Sequence, residues 1–132
     1  MTPNEIRAEI SSSIMASWAT ATPICWPNQP FVSPQQVWIR PTIKMGDTLV
    51  GELGEDGLGM RTGVLIVSIF DLAGKGTISL LNYAARLERM FRRKEISNIV
   101  FNEPSTNIIG LDENGYYGAN MSVDFTAWVG ES

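Results

Sequence analysis

The chain has 132 residues, a net charge of −4, 44% hydrophobic and 18% charged residues, one cysteine and no histidine. That length suits one domain over residues 1–132, with a radius near ~14 Å and roughly two-thirds of its unfolded surface buried. The composition excludes a disordered chain, Cys25 alone excludes an intrachain disulfide or a cysteine-based zinc site, and the missing histidine removes the commonest general base.

The first element reads as a helix. Thr2-Pro3-Asn4-Glu5 matches a capping box, and Ile6, Ile10, Ile14 and Trp18 recur every four residues as one apolar stripe that fades near Ala19. Pro23, Pro27, Pro30 and Pro34 then forbid a helix, so this stretch is expected to be extended and pinned by Trp26 and Phe31. Cys25, between Ile24 and Trp26, reads as a small buried apolar group. Gln36–Thr42 alternates around Val37 and Ile39, with Trp38 and Arg40 on the other face, and predicts a strand ending at Pro41.

A glycine-rich loop is expected from Lys44 to Gly59. It holds Asp47, Glu52, Glu55 and Asp56 against one cation. Connections of about fifteen structureless residues in a compact domain are usually binding loops. Arg61–Phe70 is the strongest strand signal, apolar on both faces and so central in its sheet. Asp71–Gly76 is a turn, and Thr77 caps a second helix with Leu80, Ala84, Leu87 and Phe91 on one face. Ser97–Phe101, Asn107–Leu111 and Tyr116–Val129 are strands, the last two joined at Asn114-Gly115, a hairpin signal. The order predicts an α+β fold: a mostly antiparallel sheet, two helices packed on one face, and a long loop between the first two strands.

Little in this chain can do chemistry. Glu55-Asp56 and Asp112-Glu113 are the adjacent carboxylate pairs, both in glycine-containing turns open to water, where solvated charge is the favoured reading over an acid–base pair. Gly74-Lys75-Gly76-Thr77 departs from a phosphate loop because Gly76 separates the lysine from the hydroxyl residue, and Phe70 stands where the first glycine belongs. Gly57, Gly59 and Gly63 lead into a strand, unlike a dinucleotide fingerprint, and Asp112–Gly115 lacks the remaining oxygen ligands of a calcium loop. No catalytic residue, metal site or cofactor is expected. No apolar run approaches the roughly 18 residues that span a bilayer. Met1–Glu9 is polar where a secretory signal would be basic, so a cytoplasmic chain without a membrane partner is expected.

Arg86, Arg89, Arg92, Arg93 and Lys94 are half of the chain's ten basic residues. On a continuous helix Arg86, Arg89 and Arg93 would share a stripe. Three readings stand: a solvated helix end, a surface for an acidic protein partner, or a nucleic-acid contact, the last without interleaved aromatic residues.

The string Trp26-Pro27-Asn28-Gln29-Pro30-Phe31 is similar to the Trp-x-Asn-x-Pro-Phe segment of tail terminator proteins from long-tailed phages. Val37-Trp38-Ile39-Arg40, Arg61-Thr62-Gly63-Val64-Leu65 leading a long strand, and the Ala73-Gly74-Lys75-Gly76 turn fit the same pattern. So do Phe91 closing a helix, Phe101-x-x-Pro104, and Gly115-Tyr116-Tyr117 before the final strand. The length also resembles that of lambda-type terminators. The resemblance implies a non-catalytic structural protein of the virion, at the head-proximal end of the tail and assembled in the host cytoplasm. It implies a self-assembled hexameric ring that caps the tail tube protein, stops tube polymerisation and faces a head–tail connector or head-completion protein. DNA would pass through its lumen without specific binding.

The loop between the first two strands would then make ring and tube contacts. Its acids Asp47, Glu52, Glu55 and Asp56 are expected to meet Arg86, Arg89 and Arg93 of the adjacent copy, as neighbours bury Leu49, Val50, Leu53 and Leu58. The rival reading is a small nucleic-acid-binding or other head–tail connector module using Arg86–Lys94. An enzyme ranks third.

Overall fold

The computed structural model describes residues 3–18, 21–27, 29, 36–50, 59–72, 74, 78–111 and 115–128. Helix α1 (Pro3–Trp18) forms where the four-residue apolar repeat predicts it, and Ile6, Ile10, Ile14 and Trp18 are all fully buried. Helix α2 (Ile78–Phe91) buries Leu80, Ala84, Leu87 and Phe91, again the predicted face. The expected caps Thr2 and Thr77 lie outside the described residues, as do the Ala73 and Lys75-Gly76 parts of the turn.

Six strands form one sheet: β1 (Trp38–Val50), β2 (Gly59–Leu72), β3 (Glu95–Ile96), β4 (Ile99–Phe101), β5 (Ser105–Leu111) and β6 (Tyr116–Trp128). Their order is β1-β2-β6-β4-β3, with β5 also pairing β6, and every strand pair is antiparallel. The doubly apolar β2 is central, as expected. It pairs β6 along nearly its whole length, from Met60↔Trp128 to Leu72↔Tyr116. Both helices cover one face, where Leu65, Val67 and Ile69 of β2 meet Ala119, Met121, Val123 and Phe125 of β6. Burying each large apolar side chain there contributes about 1.5–3 kcal/mol. The fold is α+β, an open sheet not closed into a barrel.

The first strand departs from expectation. It does not end at Pro41, and Lys44–Val50, expected in the loop, is strand paired with Gly59–Val64. Hydrogen bonds explain why proline is tolerated. Ile39 accepts from the Cys25 N–H at 2.8 Å and donates to the Pro23 carbonyl at 3.1 Å, both on the outer edge of β1. Backbone groups alternate between edges, so the Pro41 nitrogen, two residues on, also faces outward, where the ladder needs no donor. The glycine at position 46 falls in a bulge between Met45 and Thr48 and does not break the strand. The connection shortens to residues 51–58, outside the described residues.

At the other end the expected strand Ser97–Phe101 resolves into β3 and β4 around a tight turn, with Ser97 at φ 51°. The proline-punctuated segment adds one isolated parallel bridge, Ile24↔Ile39, along the β1 edge. Cys25 there is partly buried.

Candidate assembly surfaces

α2 stops at Phe91. Arg93 has a φ of 52° and so leaves the helical path, which separates it from the stripe that Arg86 and Arg89 share. Its N–H donates to the Asn102 carbonyl, and the Phe101 N–H donates to the Lys94 carbonyl, so this corner is tied onto β4. Glu103 follows and carries two arginines: Arg92 Nε donates to Oε2 and Arg93 Nε to Oε1, each at 3.1 Å. Arg92 also reaches Glu88 at 3.2 Å, and Glu88 accepts from the Thr106 hydroxyl on β5. These exposed pairs contribute under ~1 kcal/mol each, but they neutralise much of the basic cluster.

Arg86 is engaged differently. Its guanidinium sits 4.9 Å from the centre of the Trp18 ring, whose Nε1 donates to the Thr22 hydroxyl at 2.8 Å. Arg89 is exposed, lies beside Arg86 and Tyr83 in a shallow surface hollow, and makes no ion pair among the described residues. Sequence reasoning missed both partners: Glu88 stands four residues before Arg92, a spacing that could have found it, whereas Glu103 comes back to α2 only through the β3–β4 turn.

The acidic half of the expected interface is divided. Asp47, Leu49 and Val50 belong to the last residues of β1, whereas Glu52, Leu53, Glu55, Asp56 and Leu58 lie outside the described residues. Val50↔Gly59, Met60↔Trp128 and Ile99↔Ala127 align the end of β1, the start of β2, the end of β6 and β4 at one end of the sheet. The arginine corner after α2 joins β4 at Phe101 and Asn102, which are level with Met45 and Lys44 of β1, and so lies on the opposite edge of the sheet from β1. This juxtaposition was not legible in the sequence.

On the face away from the helices, Trp38 stacks on Phe70 at 4.4 Å and meets Tyr116 edge-on at 5.7 Å, and Arg40 lies 5.1 Å over the Phe70 ring. Further along, the Ser68 hydroxyl donates to Asn120 Oδ1 at 2.7 Å. Nothing here resembles a nucleophile with an adjacent base. Among the described residues no group of three or more histidine, cysteine or carboxylate side chains is placed to hold a metal ion, and no helix is long and apolar enough to cross a membrane. Both adjacent carboxylate pairs, Glu55-Asp56 and Asp112-Glu113, lie outside the described residues.

Comparison with known proteins gives a concordant result. A family model described as phage tail terminator protein matches residues 5–125. No curated protein matches. A solved structure that carries only a sequence identifier, with no functional name, superposes at a TM-score of 0.70 with 19% identity, covering 96% of each chain, and so shares the fold. The family is one of structural phage tail proteins, not of enzymes, and its members belong to the tail of the virion, between tail and head components. With nearly its whole length matched, the chain belongs to the phage tail terminator protein family.

Proposed function

We propose that this chain closes the head-proximal end of a phage tail. Copies join side by side into a hexameric ring that caps the last layer of tube protein and stops its polymerisation. The other side of the ring receives a head–tail connector or head-completion protein. One observation supports this reading: β1, which leads into the acidic connection, and the arginine corner on β4 stand on opposite edges of the sheet, three interstrand spacings or roughly 15 Å across. Copies set edge to edge bring the two together. Such a contact is heterologous, and a heterologous contact closes into a ring when its rotation allows.

In this contact Asp47, Glu52, Glu55 and Asp56 face Arg86 and Arg89 of the neighbour, and Leu49, Val50, Leu53 and Leu58 are buried as the connection is ordered. Arg93 contributes through its exposed side chain, which Glu103 partly neutralises. The charges fix register more than they add affinity. A net charge of −4 suits a lumen through which DNA passes without specific binding. The nucleic-acid reading of Arg86–Lys94 is less favoured, because Glu88 and Glu103 neutralise Arg92 and Arg93, two of its five cations.

Arg89 is the clean probe, since substituting Arg86 would also remove the Trp18 contact. Arg89→Glu is expected to weaken ring formation by about tenfold or more, at least ~1.4 kcal/mol, measured by light scattering alone and with tail-tube protein. Ring formation unchanged in Arg89→Glu would refute the contact.

A further inference from the structure

The two edges of the sheet are unlike. β5 pairs with β6 on one side, and its other side faces no strand among the described residues. Ile108, Ile109 and Leu111 are 49%, 57% and 66% exposed there. Edge strands are commonly blunted by charge or proline, and Ser105–Leu111 carries neither. A bulge between Ile108 and Gly110 turns Ile109 out of the ladder and widens the apolar surface.

The opposite edge offers a complementary shape. A groove of about 840 Å³ runs between α1 and the outer edge of β1, lined by Arg7, Met15, Trp26, Pro27, Pro41 and Ile43. Pro41 and Ile43 pair across to buried Val67 and Leu65, which puts the groove on the helix side of the sheet. Ile108 and Leu111 pair across to Ala119 and Tyr117, on that same side. Strand directions alternate through β1, β2, β6 and β5, so in a head-to-tail arrangement β5 of one copy meets β1 of the next antiparallel.

We propose that the exposed β5 edge of one copy docks in the α1–β1 groove of the next, with Ile108 and Leu111 entering it from the helix side. This deepens the ring reading and rests on it. Charge selects a second copy as the occupant. β5 runs in sequence directly into Asp112-Glu113, whereas the groove is lined by Arg7.

The test uses the full chain and two surface substitutions, Leu111→Glu on the β5 edge and Met15→Glu in the groove. Both residues are exposed, so both variants are expected to keep the wild-type unfolding temperature. Masses are read by light scattering under the condition, alone or with tail-tube protein, in which wild type forms a ring. Each variant alone is expected to fall to the 14.5 kDa protomer. Mixed in equal amounts they retain one intact pair of surfaces, so they should form a dimer of twice that mass and go no further. A ring unaffected by either substitution, or a mixture that stays at protomer mass, overturns the docking contact while leaving the ring reading in place. Wild type that remains a protomer in both conditions overturns both.

Discussion

Gly63 pairs with Met45 of β1 on one side and with Phe125 of β6 on the other. A Cβ built there would stand 2.4 Å from Phe125 Cζ and 2.7 Å from the Lys44 carbonyl oxygen, and neither the buried ring nor the paired backbone can give way. The glycine makes room for the Phe125 ring, which packs in turn at 5.8 Å from Phe101. Gly63→Ala should therefore destabilise the fold by about 1–3 kcal/mol. In urea its midpoint is expected to fall with an unchanged slope; a wild-type midpoint would contradict this account of the packing. Sequence reading could exclude Gly63 from a nucleotide fingerprint but could not give its role, because that role depends on which ring stands opposite in β6.

Among the elements, periodicity made both helices and the central strand legible. The α1 stripe predicts that Ile10→Ala, which empties a fully buried site, costs about 2–5 kcal/mol, whereas Arg7→Ala on the exposed side of the same helix changes stability by less than ~0.5 kcal/mol. Equal effects of the two on thermal unfolding would mean that the helix does not present that face to the core. β1 was less legible. Pro41 reads as a terminator in any single sequence, and only the outward bonds of Ile39 reveal that its nitrogen faces an edge. The end of α2 failed for a similar reason. Helical spacing carries Arg93 onto the Arg86–Arg89 stripe, but a positive φ turns it toward Glu103, an acid ten residues on. Both misreadings arise where nonlocal pairing overrides a local pattern.

For the whole molecule, the matched family makes this a structural protein of the phage tail. The proposed assembly rests on asymmetry between the sheet edges. One bears an apolar groove lined by Arg7; the other bears the arginine corner and an apolar strand that faces no further strand among the described residues. Neither edge complements itself, so association is expected to propagate in one direction and to close only as a ring. A dimer with two-fold symmetry would not use these surfaces. The most direct measurement is native mass spectrometry of the wild-type chain, alone and after incubation with tail-tube protein. The account predicts one closed species of fixed copy number, without a ladder of open oligomers. A chain that stays at 14.5 kDa in both samples, or that stops at a two-fold dimer, would contradict it.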